Sequence, residues 1–339
     1  MSKRIFVHIG YHKTGSTSIQ VALSGARDRL EENGFLYPEV GCPEWSKYGH
    51  HLLAWSVFSK VEHLPTLHGN QASFTKSSRR SLWSDLRAEI DRSKAHNVII
   101  SSEEFDVCDV AAISKISSEL KKYEIVPVFF IRNFADLIES NYNTTVVHSS
   151  GARPFKEFIT NQRTRLDLNR MIQDWASISY DGTVHICNYD DRAVAKNSVD
   201  AFLKVIGAPD GVLSRNTGTR YNESLPVFVT ELIQHLNAKG CGHPEVHRFI
   251  DHLRGLNFRE GAGKRYTLYE KHDLDRLNVE YKKEFDGLID NEFVSGPVGE
   301  AWRPTERPEH AYVGNHVYAL LALAREIAPA KDVAPLPRS

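Results

Sequence analysis

The sequence predicts an α/β fold: an open, mainly parallel sheet flanked by helices, with a mostly helical C-terminal region. Three observations predict it. Continuous apolar runs rich in β-branched and aromatic residues recur at 4–9, 97–102, 125–131 and 183–187, the pattern of strands buried on both faces. Segments of helical period separate them. Each run ends on polar or glycine residues (Gly10, Glu103, Arg132, Tyr189), where sheets of this kind carry their ligands.

Taken in order, Ile5, Phe6, Val7 and Ile9 form the first strand. After a glycine-bounded loop, Ile19, Ala22, Leu23, Ala26 and Leu30 recur at helical spacing. Residues 34–38 read as a short strand or turn, and His50 to Trp55 as a helix start. Residues 64–78, rich in Gly, Asn, Ser, Thr and His, read as a loop and mobile cover over a site. A helix over about 81–94 leads into strand 97–102, and one over 110–122 into strand 125–131. From Pro226 onward helical patterns dominate: Val229, Leu232, Ile233 and Leu236, then Val317, Leu320, Leu321 and Leu323. No internal repeat appears. Residues 1–327 read as one domain, of which 225–327 is the mostly helical part, and 328–339 as a frayed tail with three prolines.

The loop carries the first functional signal. Gly10-Tyr11-His12-Lys13-Thr14-Gly15-Ser16-Thr17 fits the phosphate-loop pattern except that Ser16 stands at the lysine position. Strand, loop and helix start together make an anion site: free N–H groups and the positive end of the helix dipole meet there, with hydroxyls from Thr14, Ser16 and Thr17. A nucleotide triphosphatase needs that lysine at its β- and γ-phosphates, so its loss argues against such chemistry. A phosphate bonded to a sulfate carries less charge and needs less. The plain alternative is a strand–turn–helix corner without a ligand.

The second signal is Arg132-Asn133-Phe134-Ala135-Asp136-Leu137-Ile138-Glu139-Ser140. Arg132 ends a strand. Phe134, Leu137, Ile138 and Tyr142 mark the buried face of the next helix, which sets Ser140 on another face. A guanidinium fork and a hydroxyl at this separation can grip one phosphate. An arginine at a strand end also serves as a surface ion-pair partner.

His12-Lys13-Thr14-Gly15-Ser16-Thr17-Ser18 resembles the 5′-phosphosulfate loop of sulfotransferases, especially the bacterial branch whose loop begins His-Lys-Thr-Gly. Arg132 and Ser140 match that family's Arg-x7-Ser segment for the 3′-phosphate. The resemblance implies a phosphate-loop nucleotide-hydrolase-like fold and 3′-phosphoadenosine 5′-phosphosulfate as co-substrate. It also implies sulfuryl transfer to a hydroxyl or amine on a glycan, glycolipid or small metabolite. By the same resemblance Lys13 sits near the bridging oxygen, and Ser16, Thr17 and Ser18 near the 5′-phosphate. His12 lines the site, and no metal is required. The acceptor needs a base. Where the family places a histidine or glutamate this chain has Glu103, followed by Glu104, with His51 as a third candidate. Either glutamate also suits a helix start, and His50-His51 suits a surface corner. His8 reads as a strand residue. Arg220, in a polar loop with Asn222 and Ser224, could reach the 3′-phosphate, although Asn222 or Ser224 as a helix cap is the simpler reading. Asp190 and Asp191 read as structural. The resemblance is specific to about Tyr142.

Composition sets outer limits. The 339 residues are 41% hydrophobic and 25% charged with a net charge of −1, which makes no electrostatic case for nucleic acid; the densest basic run is Lys76 to Arg80. Cys42, Cys108, Cys187 and Cys241 have neither disulfide-framework nor zinc spacing and read as reduced thiols. With no signal peptide and no apolar span of membrane length, the expectation is a cytoplasmic protein. Phosphate-loop kinase or nucleotidase activity, and a non-catalytic nucleotide-binding protein of the same fold, stand as alternatives.

Overall fold

The computed structural model describes residues 2–11, 13–44, 46–58, 76–148, 153–160, 162, 166–213, 227–238, 240, 243–255, 267–296 and 298. His12, Arg220, Asn222, Ser224, Cys241, the second apolar set around Leu320 and the tail lie outside them, as do 64–75 of the expected cover. The chain divides into two compact units. The first comprises Met1–Leu137, Thr164–Asn222 and Val279–Pro304; the second comprises Ile138–Arg163, Glu223–Asn278 and Thr305–Ser339.

The elements follow in the order β1 (Arg4–Gly10), α1 (Ser16–Ser24), α2 (Arg27–Glu32), β2 (Phe35–Leu36), α3 (His51–Val57), α4 (Lys76–Arg92) and β3 (Asn97–Ser101). A 3-10 turn (Glu103–Val107) then leads to α5 (Val110–Glu119), β4 (Glu124–Ile131), α6 (Phe134–His148), α7 (Phe155–Thr160) and α8 (Leu168–Ala176). They close with β5 (Val184–Asn188), α9 (Arg192–Lys196), α10 (Ser198–Val205), α11 (Val227–Ala238), α12 (His243–Gly255), α13 (Lys271–Ile289) and β6 (Val294–Ser295).

All six strands belong to the first unit and pair in parallel in the order β2-β3-β1-β4-β5-β6. The expected open parallel sheet is therefore present. β1 is central, with His8 opposite Ser101 on β3 and Gly10 opposite Phe130 on β4. The chain moves to one side of β1 for β2 and β3, then crosses to the other for β4. That reversal puts a crevice at the carboxyl end of β1. Side chains alternate across the sheet. Phe6, Ile99, Val126, Val128 and Phe130 pack with Ile19 and Leu23 of α1, Leu30 of α2 and Phe202 of α10. Ile5, Val7, Ile9, Val98, Ile100 and Phe129 are buried on the opposite face. Each such side chain contributes about 1.5–3 kcal/mol by leaving water. Pro127, lacking an N–H, falls one residue before β4 begins pairing with β5 at Val128–His185, so the proline interrupts no rung there.

The second unit has its own core of Tyr142, Val146, Val229, Leu232, Ile233, Val246, Phe249 and Ile250. Buried Glu139 accepts hydrogen bonds from Thr267 Oγ1 at 3.0 Å and the Leu268 amide at 2.7 Å, which satisfies a carboxylate on a helix side that sequence pattern reads as polar.

Several expectations need correction. The single helix after the first loop is two, because the chain breaks at Gly25 and Ala26, where Arg27 Nη1 donates to the Ser24 carbonyl at 3.1 Å. The helix expected from Ser81 begins at Lys76, so residues 76–78 are helix rather than loop. The helix expected to reach Lys122 ends at Glu119, with the Tyr123 amide turning back to the Leu120 carbonyl. Ser140 does lie off the Phe134–Tyr142 stripe, yet that side is covered too: Glu139, Ser140 and Asn141 are all buried. His50 and His51 are not a surface corner, since both are buried. β6 carries no readable sequence pattern. Cys42, Cys108 and Cys187 are free thiols. Among the described residues no helix is long and apolar enough to cross a membrane.

Candidate functional site

The carboxyl ends of β1, β3, β4 and β5 bring four turns of the first unit together. The turn after β1 is shaped by backbone. Lys13 (φ 67°) and Gly15 (φ 82°) both take left-handed conformations, which for lysine is an uncommon and strained choice. A Cβ on Gly10 would lie 2.2 Å from Ser16 Oγ and 3.0 Å from Thr14 Oγ1, so any larger residue would have to displace the loop's hydroxyls from the strand end. A Cβ on Gly15 would meet Ser198 Oγ at 2.6 Å and the Tyr189 ring at 3.2 Å. Thr14 is buried, its hydroxyl donating to the Tyr11 carbonyl at 2.6 Å; it braces the loop and does not cap the helix. The first helical hydrogen bond of α1 runs from the Ile19 amide to the Gly15 carbonyl at 3.1 Å. The amides of Ser16, Thr17 and Ser18 therefore have no carbonyl one turn back inside the helix. Ser16 Oγ is buried without a partner, which costs about 1–3 kcal/mol unless a ligand supplies one. Unpaired donors, a helix start and a neighbouring ammonium fit an anion.

The turn after β4 joins this loop directly. Arg132 Nη1 donates to the Lys13 carbonyl at 2.8 Å, and its guanidinium lies 5.7 Å from the centre of the Tyr189 ring. The residue after it is held as well: the Asn133 amide donates to Asp190 Oδ2 at 2.7 Å, and Tyr281 Oη donates to the same oxygen at 3.0 Å. Burial pushes the Asp190 carboxyl up from its ordinary value, opposed by the Tyr281 hydroxyl, Arg132 and the Asn133 amide. Asp191 caps α9 by accepting from the Ala193 amide at 2.7 Å. Both aspartates have structural bonds to local groups.

The turn after β3 is built from side chains. Gln20, on the turn of α1 after Ser16, donates from Nε2 to Glu103 Oε2 at 2.8 Å. His51 Nδ1 hydrogen-bonds Ser102 Oγ at 2.9 Å and lies 3.9 Å from that same Glu103 oxygen. Its ring stacks on Trp55 at 5.8 Å. The Glu104 amide donates to Ser102 Oγ at 3.1 Å, which fixes the 3-10 turn. Lys13 ties this side to the loop. Burial lowers its affinity for a proton, Glu103 acts in the opposite direction, and Arg132 adds to the lowering. Below the loop His8 is fully buried against Ser101 Oγ at 2.7 Å, and burial brings its pKa down to about 3. It is a neutral core residue of β1.

Of the residues singled out in the sequence, Lys13, Thr14, Gly15, Ser16, Thr17, Ser18, Arg132, Glu103 and His51 lie on the turns after β1, β3 and β4 and the helices beside them. Glu104 follows Glu103 and is buried; burial, and then the charges of Asp106, Asp109 and Glu104, raise the Cys108 thiol. Ser140 is buried in the second unit. Sequence reasoning missed Gln20, Ser102, Tyr189 and Ser198. Gln20 left one signal, a polar residue among Ile19 and Leu23 on a helix side that packs inward. Comparisons with protein-family models, curated proteins and solved structures found no match.

Proposed function

We propose that this chain is a sulfotransferase. It moves a sulfuryl group from 3′-phosphoadenosine 5′-phosphosulfate to a hydroxyl or amine of a glycan, glycolipid or small metabolite. One observation carries most of the argument: the 2.8 Å hydrogen bond from Arg132 to the Lys13 carbonyl. Arg132, matched to the 3′-phosphate, thus lies against the loop matched to the 5′-phosphosulfate, which supports one nucleotide reaching both. The partnerless Ser16 hydroxyl and the free amides of α1 give an anion its place.

In this reading the co-substrate supplies an activated sulfuryl group, and the protein positions it and stabilises charge. The Ser16, Thr17 and Ser18 amides hold the 5′-phosphate, Lys13 neutralises charge on the departing bridging oxygen, and Arg132 holds the 3′-phosphate. Glu103 takes the acceptor proton, with His51 Nδ1 3.9 Å from its carboxylate and Glu104 next to it in sequence. The acceptor oxygen or nitrogen bonds to sulfur as the sulfur–bridging-oxygen bond breaks, and adenosine 3′,5′-bisphosphate leaves. This chemistry calls for no metal.

Thermal-shift titration tests the reading against its alternatives. Adenosine 3′,5′-bisphosphate without magnesium should raise the melting temperature, by about 2–4 °C for each kcal/mol of binding free energy at ~200 residues and less for a longer chain. Stabilisation by magnesium–ATP in preference to the bisphosphate would favour a kinase or nucleotidase and overturn it. Binding without transfer of labelled sulfuryl to extracted glycans, lipids or metabolites would favour a non-catalytic protein.

A further inference from the structure

The sulfotransferase reading assigns Glu103 a proton but leaves unexplained what holds its carboxylate in place. Gln20 does. Its side chain is fully buried, and Nε2 donates to Glu103 Oε2 at 2.8 Å across 83 positions of sequence. The amide orientation follows from chemistry: turned over, its oxygen would face a carboxylate oxygen at that distance. The other end of the amide is buried without a partner. Gln20 Oε1 is buried without a hydrogen-bond partner and stands near the Gly49 backbone, where a Cβ would lie 2.8 Å from it and 2.5 Å from His51 Nε2. A buried amide that leaves its acceptor unsatisfied to keep one donor on a carboxylate is under a demand that core packing does not explain.

Position adds the second argument. Gln20 follows Ser16 by four residues on α1, so the two side chains share a helix face one turn apart. That single turn joins the anion loop to the carboxylate. We infer that Gln20 is the positioning residue of the acceptor side, anchoring Glu103 to the helix whose first turn holds the donor. Movement of that turn when the donor seats would carry the base with it. The inference rests on the proposed sulfotransferase reading only for the word base; the anchor itself can be tested independently.

The test uses the full chain labelled with 13Cδ-glutamate, with the Glu103 signal identified by its loss in Glu103→Gln. Gln20→Met keeps the side-chain length and removes the donor. An N–H aimed at a carboxylate favours its charged form, so Gln20→Met should raise the Glu103 titration midpoint by about one pH unit. The affinity for adenosine 3′,5′-bisphosphate should stay within about twofold. Should Gln20→Met not fold, Gln20→Leu offers a second route: it removes the same donor with a differently shaped side chain and should also raise that midpoint. With transfer activity in hand, the acid limb of the kcat profile should move up with the titration, and in the Glu103→Gln background Gln20→Met should add no further loss. An unmoved midpoint in a folded variant, or fully additive losses, overturns the inference. Failure of the wild-type chain to bind the bisphosphate sinks the sulfotransferase reading instead, while a shifted Glu103 midpoint would still show the anchor.

Discussion

The turns after β1 and β3 end neighbouring strands of one sheet, yet they are held by different means. The β1 turn is specified by backbone: left-handed Lys13 and Gly15, a Gly10 closely covered by the Ser16 and Thr14 hydroxyls, unpaired amides, and a guanidinium on a carbonyl. The β3 turn is specified by side chains brought from elsewhere, Gln20 from α1 and His51 from α3, which meet on Glu103 and Ser102. A backbone-built anion site suits a fixed phosphate geometry. A side-chain network can be retuned by single substitutions, which in the proposed sulfotransferase reading suits an acceptor side.

The comparison can be broken from either side. The largest effect is expected on the β1 side, in a pair of variants. Lys13→Ala should lower kcat about a hundredfold or more with the fold intact, whereas Arg132→Ala should weaken donor binding about ten- to a hundredfold by losing a charged hydrogen bond. Steady-state kinetics with labelled donor separates them, and equal effects on kcat from both would erase the distinction between leaving-group and anchoring roles. A smaller effect concerns the buried histidines, one beneath each turn. His8 and His50 have pKa values lowered by burial from 6.5 to about 3. Between those values the unfolded chain binds the proton and the folded chain does not. Stability is therefore held above pH 6.5 and lost as pH falls, by about 1.4 kcal/mol per pH unit for each histidine once the window is entered. Urea unfolding at pH 7.5, 6 and 5 should show that slope; equal stability at all three would mean that both imidazoles take up protons in the fold as readily as in the unfolded chain.

This contrast also explains what could be read from sequence. The β1 turn was legible because its determinants are contiguous: a glycine-bounded loop between an apolar run and a helical period. Arg132 was legible because it closes another apolar run, and the sheet followed from four such runs. Gln20 and Glu103 were not legible as a pair, since nothing local in either reports on a residue 83 positions away. His50 and His51 read as surface because their burial depends on Pro38, Ser101 and Ser102, which only the fold brings near. The break at Gly25 was hidden because the apolar spacing continues through it, and β6 because two residues make no pattern.

The central claim is that one nucleotide spans from the first turn of α1 to Arg132, and a crystal structure with adenosine 3′,5′-bisphosphate tests it most directly. The account predicts the 5′-phosphate within hydrogen-bond distance of the Ser16, Thr17 and Ser18 amides and the 3′-phosphate on the Arg132 guanidinium. A nucleotide bound with either phosphate away from its assigned anchor would contradict it.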